Sequence, residues 1–351
     1  MLLSAARYSF ANAKVRALRS GRLSGEDFYF LLQAQDLEGL LAYLATTSYQ
    51  PINPELPLRT MQRTLFVPLF TQYHKIVASL SHAPGRRVIL ALFGRFEAEN
   101  LKMLLRAMAT GLDHGAIAPL LYPLGALSTL DWNRLHDCTT PGELIQALDG
   151  TLFARPLAHA MAQHEAGGAL PPLEAALDLA VFRHLASAVD ALAGRGDRRA
   201  ARRVLGGYVD ILNCLWVIRL RLHFGLSPEE IVNYSLPGGR ELSLRDLHML
   251  AKADTVARFI ARLPASLAAR LGSLQEWSEF RPALQSLLLR LLRRTLASFP
   301  FHVGVEAAYL LEKEMEIRAV VTIMEAKMQH LPPEATAQRL PAPLLEETAH
   351  V

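Results

Sequence analysis

Apolar residues along the 351-residue chain recur at spacings of three and four, and runs with this period cover residues 86–110, 172–194, 197–225, 274–299 and 302–331. That period puts the apolar side chains on one face of an α-helix, so each run predicts a helix of about 20 to 30 residues. Stretches such as "HAPG", "GGALPP" and "LPGG" punctuate the runs, as turn-forming Gly and Pro do. No run alternates with the period of two that a half-buried strand requires. The chain is predicted to be all-α.

Within this pattern one pentapeptide returns. "LSGED" at 23–27, "LSTLD" at 127–131 and "LSLRD" at 242–246 share Leu-Ser-x-x-Asp, a match that average residue usage produces at roughly one site in a few thousand. Serine followed three residues later by an acid is a capping box, in which hydroxyl and carboxylate serve the free amides of a helix start. Ser24, Ser128 and Ser243 are therefore expected as N-caps, with Asp27, Asp131 and Asp246 completing each box. The downstream residues match at the same offsets, 104 and 219. Leu31, Leu135 and Leu250 correspond; so do Leu37, Pro141 and Val256, which open a second apolar helix pattern. Thr47 and Tyr49 match Thr151 and Phe153, weakening to Ser266 and Ala268.

Beyond each of these lies a long apolar segment: "FEAENLKMLLRAM", "YVDILNCLWVIRL" and "EMEIRAVVTIMEAKM". Asn100 and Arg106 in the first match Asn213 and Arg219 in the second, whereas the third has Ala319 and Glu325. A fixed long period of this kind predicts repeated units: three similar helical domains at 1–112, 113–225 and 226–340, pseudo-threefold related, and a C-terminal tail at 341–351. Buried amides need partners, so Asn100 and Asn213 are expected to bond the backbone of a neighbouring helix.

A hydrophobic content of 51% supports a sizeable core, and 37 basic against 33 acidic residues give a net charge of +4, too even a balance to point to nucleic acid. Cys138 and Cys214 stand too far apart in the chain, and are too few, to indicate a disulfide framework or a Cys-based zinc site. The longest uncharged run, 115–130, contains Pro119 and Pro123 and falls short of the 18 or so apolar residues that span a bilayer. The Arg-rich N-terminus runs directly into the first repeat and is predicted to be the first helix, not a transit peptide.

Candidate chemistry is sparse. No Gly-Lys pair exists for a phosphate loop, and no Gly-x-Ser-x-Gly elbow occurs. His159 and His164, near Glu165, are five apart, not the i, i+4 pair that puts two ligands on one helix face. "RGDRRAARR" and "LPGGRE" read as a helix start and a loop, not as anion sites. No catalytic residue, cofactor or metal site is predicted, and a repeated helical chain without reactive groups suggests a connector.

The stretches "SFANAKVRALRSGRLSGEDFYFLLQAQDLEGLLAYLATTSY", "FEAENLKMLLRA" and "PFHVGVEAAYLLEKEMEIRAVVTIMEAKMQHLPPEATAQRL" resemble the C-type subunits of the prokaryotic V/A-type rotary ATPases, known as d-type in the eukaryotic vacuolar enzyme. The resemblance runs from about Tyr8 to Leu340, with the blocks in the family's order. It implies a funnel of three similar helical domains with no active site, peripheral to the cytoplasmic face of the membrane. It also implies a seat on the proteolipid c-ring and a socket for the shaft subunits of D and F type, so that ring and shaft turn together during ion transport. The family's final helix usually carries an Asn and a basic residue where Ala319 and Glu325 stand here. An α-helical repeat scaffold unrelated to ATPases is the rival expectation, although scaffold repeats are usually shorter and more numerous; an all-α enzyme would declare itself by a bound metal or cofactor.

Overall fold

The computed structural model describes residues 2–81, 83–112, 114–167 and 170–346, and among them every regular element is a helix. The helices that organise the chain are α1 (Leu2–Arg19), α2 (Gly25–Gln33), α3 (Arg86–Thr110), α4 (Trp132–His136), α5 (Pro171–Asp190), α6 (Gly207–Phe224), α7 (Leu244–Ala251), α8 (Phe280–Leu296) and α9 (Val303–Met328). Shorter helices at Leu37–Leu44, Pro141–Ala147 and Val256–Ala261 begin in register with the repeat offsets. Each has a side-chain N-cap at the matching position: Asp36, Thr140 and Thr255.

The three long helices α3, α6 and α9 stop in one way. Gly111 and Gly225 take left-handed backbone at φ 64° and 63°, which a residue without Cβ adopts freely. Leu112 N–H then bonds back to Ala107 O, and Leu226 N–H to Leu220 O. At the end of α9 the left-handed position is His330, φ 53°, and Leu331 N–H bonds to Ala326 O.

Two compact units result: residues 1–56 with 194–351, and residues 57–193. The cut at 57 falls inside the first sequence repeat because α3, which closes that repeat, packs on α5 of the second. In the smaller unit the core joins Leu101 and Leu105 of α3 to Leu144, Phe153, Leu173 and Leu177. An aromatic group extends it, with Phe66, Phe70, Phe96 and Tyr122 edge to face at centroid separations of 4.9 to 5.7 Å, the arrangement ring quadrupoles favour. In the larger unit α9 packs against α1 and α8 and buries most of its residues, leaving one partly open face at Met315, Arg318, Thr322 and Glu325. The charged side chains it buries, Glu312, Lys313 and Glu316 among them, are met by partners inside the fold.

Three boundaries differ from the periodicity. The run 274–299 becomes helical only at Phe280, because the Glu279 carboxylate accepts from Gln275 N and Glu276 N at 2.7 and 2.9 Å and holds Trp277–Glu279 as a 3₁₀ turn. The run 197–225 contains a π turn at Arg202–Gly206 between the helix Arg195–Ala201 and α6. The run 172–194 ends as a helix at Asp190. The side chains of His164 and Glu165, and residues 347–351 of the tail, lie outside the described ones.

Candidate functional site

The repeated motif builds two matching helix starts and one different one. At Ser24 the hydroxyl accepts from Asp27 N at 3.1 Å, and the Asp27 carboxylate accepts from Ser24 N at 2.6 Å. Burial opposes ionisation of Asp27, yet the Ser24 amide and hydroxyl hold its carboxyl below the usual range. Ser243 and Asp246 repeat this box at 3.2 and 2.9 Å, and the Ser243 bonds likewise lower Asp246.

Ser128 departs from the expectation: it is not an N-cap. Helix α4 begins at Trp132 with Asp131 as its cap, accepting from Arg134 N at 3.3 Å. The reason lies at position 132, where the other copies carry Phe28 and Leu247, which have no donor to place. Trp132 brings an indole N–H that Ser128 Oγ accepts at 2.8 Å, while the hydroxyl donates to Glu97 Oε1 at 2.6 Å.

The three long helices hold these starts through buried carboxylates that the sequence pattern does not single out. Glu97 of α3 accepts from the Ser128 hydroxyl and from Thr129 N at 3.2 Å. Asp210 of α6 accepts from Arg240 N, Glu241 N and Leu242 N, at 2.8 to 3.2 Å. Glu316 of α9 accepts from Leu23 N at 3.1 Å and from the Tyr49 hydroxyl at 2.8 Å, with Lys313 against it. Each long helix thus clasps the motif copy that comes next in the chain, and the last clasps the first. Burial raises the carboxyls of Glu97 and Asp210 above the usual carboxylate range, against the bonds they accept. Glu316 likewise faces the Tyr49 phenol, which burial foremost and this carboxylate next push far up. The loop "LPGGRE" therefore does gather amides around an anion, and the anion is the chain's own Asp210. A Cβ on Gly239 would stand 2.5 Å from Asp210 Oδ1, so only glycine lets the loop approach.

One turn along, Asn100 and Asn213 act alike. Asn100 Nδ2 donates to Tyr122 O at 2.9 Å and its Oδ1 accepts from Tyr122 N at 2.8 Å. Asn213 makes the same pair with Leu236 at 2.9 and 2.8 Å. The partners are backbone groups of non-helical residues, not of a neighbouring helix as expected. A loop peptide lacks an internal partner and needs this one. In the third copy the segment before Leu23 is the end of α1, packed on α9, and a helix satisfies its own amides; Ala319, 3% exposed, fills the position.

The arginines diverge. Arg106 forms a two-bonded pair with Glu174 of α5 at 2.6 and 2.8 Å, beside Lys102, which bridges Glu99 and Asp178. Burial pushes Asp178 up to about 6 despite Lys102. Arg219 instead lies at the surface with its guanidinium over the Phe224 ring. Among the described residues no group of three or more His, Cys, Asp or Glu side chains is arranged to hold a metal, and no helix is long and apolar enough to cross a membrane.

This geometry defines a helical repeat protein whose long helices are braced by internal carboxylates. The profile of the ATP synthase (C/AC39) subunit family matches residues 11–339, and the chain belongs to that family, the one that holds the C-type and d-type subunits of the V/A-type ATPases. The C subunit of the A-type ATP synthase of Methanocaldococcus jannaschii is 23% identical, over 95% of this chain and 86% of its own length. Its counterpart in Methanothermobacter thermautotrophicus is 27% identical over 95% and 87%, and that in Haloferax volcanii 27% over 93% and 95%.

Proposed function

We propose that this chain is the non-catalytic connector in the central stalk of a V/A-type ATPase or ATP synthase. In this reading it joins the shaft subunits, of D and F type, to the proteolipid ring at the cytoplasmic face of the membrane, and it works as three helical repeats at 1–112, 113–225 and 226–340. The observation that carries the reading is the family match across nearly the whole chain. The clasps supply a physical reason: buried charge-assisted hydrogen bonds tie each long helix to the next helix start, and close-packed, cross-tied helices transmit strain instead of absorbing it. A part that carries torque needs that stiffness.

The test uses membranes from a strain lacking the chain. ATP hydrolysis by the soluble sector should persist while ATP-driven ion pumping is lost, and adding back the purified chain should restore pumping. Pumping that persists without it, in a strain with no paralogue, overturns the connector reading.

A further inference from the structure

The helix Arg195–Ala201, the π turn Arg202–Gly206 after it, the end of α8 and the start of α9 meet at one end of the larger unit. A Cβ on Gly207 would stand 2.6 Å from Leu291 Cδ2 of α8, and one on Gly304 of α9 would stand 3.2 Å from Ala200 O. Residues 195–203 hold five arginines and one acid. Five positive charges less one negative leave +4, the net charge of the whole 351-residue chain, so the rest of the sequence balances to zero. The one acid, Asp197, is turned inward to the Tyr8 hydroxyl and Val303 N. The basic side chains stay outside: Arg195, Arg199 and Arg203 are exposed, as is Arg294 one turn past Leu291, and none of the four pairs with another described residue. Neighbouring Arg290 and Arg293 are already engaged, by Glu346 at 3.7 Å and Glu312 at 3.1 Å. Phe299, in the connection from α8 to α9, adds an exposed ring that Phe301 meets edge to face at 5.5 Å.

We infer that this end of the larger unit rests on anionic phosphate headgroups at the membrane surface, with the guanidiniums on phosphate and the Phe299 ring among the headgroups. The choice of a membrane rests on the connector reading, which puts the chain at a membrane face; the concentration of charge does not. Each guanidinium presents a planar fork that two phosphate oxygens match. Basic side chains beside an exposed aromatic ring, with the local acid turned inward, are what an anionic lipid surface attracts. A folded acidic partner fits less well. It gains most from arginines set in advance, as Glu174 sets Arg106 with two bonds, because fixing long side chains on binding costs affinity. No described residue bonds the guanidiniums of Arg195, Arg199, Arg203 and Arg294, and mobile phosphates suit side chains of that kind.

The test measures co-flotation of the full-length chain with phosphatidylcholine vesicles, alone or containing phosphatidylglycerol. The wild type should bind only the anionic vesicles, and salt should release it. Arg199→Gln with Arg203→Gln and Arg294→Gln removes three charges that nothing inside the protein uses. The melting temperature should hold while binding to anionic vesicles falls at least about tenfold. Phe299→Ser should weaken binding with the salt dependence kept. Equal binding of the wild type to neutral and anionic vesicles overturns the inference, and so does a triple variant that binds like the wild type. Release by inorganic phosphate at constant ionic strength would make this a free-anion site and overturns the membrane assignment. A triple variant that loses the detergent-solubilised ring or the shaft complex but keeps the vesicles overturns it too, giving this end to a protein. The connector reading is tested apart, by pumping on adding back the wild type. Restored pumping with no vesicle binding overturns this inference alone.

Discussion

Glu306 stands in the first turn of α9 with no exposed surface, and neither carboxylate oxygen is hydrogen-bonded to another described residue. Asp197, which the Tyr8 hydroxyl and Val303 N engage, lies near enough for its charge to act on it. Burial outweighs the residue's own amide and, with the Asp197 charge adding to it, pushes the Glu306 carboxyl up to about 8 from 4.5. The folded chain therefore keeps this proton between about pH 4.5 and 8, where the unfolded chain has lost it. Stability from this group is complete below pH 4.5, falls as pH rises through that window and is gone above pH 8. At about 1.4 kcal/mol per pH unit the ceiling is on the order of 5 kcal/mol, which water entry on ionisation would lower. Glu306→Gln keeps the shape and removes the titration. Urea midpoints of both proteins from about pH 5 to 9 isolate the group, because every other titrating residue cancels in the difference. The variant should match the wild type near pH 5 and exceed it by a few kcal/mol at about pH 9. A difference that stays flat across this range would refute the reasoning.

Asp210→Ala leaves three backbone amides without an acceptor and should cost about 3 to 5 kcal/mol in chemical denaturation, with Asp210→Asn recovering part of it. Ser24→Ala and Ser243→Ala should each cost about 0.5 to 2 kcal/mol, the worth of an N-cap. Ser128→Ala should cost more in wild type than in a Trp132→Phe background, since the indole then no longer needs the hydroxyl; equal costs in a double-mutant cycle would contradict that account. His330→Gly removes a left-handed non-glycine residue and should raise stability by about 0.5 to 1 kcal/mol, read as a higher melting temperature.

The helical periodicity marks the bounds of α3 to the residue, and the repeat offsets locate the second helix of every copy at Leu37, Pro141 and Val256. Those signals are local: they need only side-chain spacing and a cap. Ser128 misleads because its neighbours in sequence spell a proper capping box, while the competing partner, Glu97, lies 31 residues away. The clasps leave a trace, since Glu97, Asp210 and Glu316 each precede the Asn100, Asn213 or Ala319 position by three residues. An acid on a largely apolar helix is ambiguous, however, until the face that carries it is known to be enclosed. The Ala319 replacement becomes intelligible only once the segment before Leu23 is seen to be a helix instead of a loop.

The clasp from Glu316 to Leu23 spans 293 residues, and this sets an order of events during synthesis. The first helix start leaves the ribosome early, with its amide and the Tyr49 hydroxyl unserved, and waits for nearly all of the remaining chain to be translated. The starts at Ser128 and Leu242 meet their carboxylates within about 32 residues and can close as they emerge. A nascent chain released before residue 316 is thus left with a loose beginning as well as a missing end, because Leu23 N and the Tyr49 hydroxyl then have no Glu316 to bond.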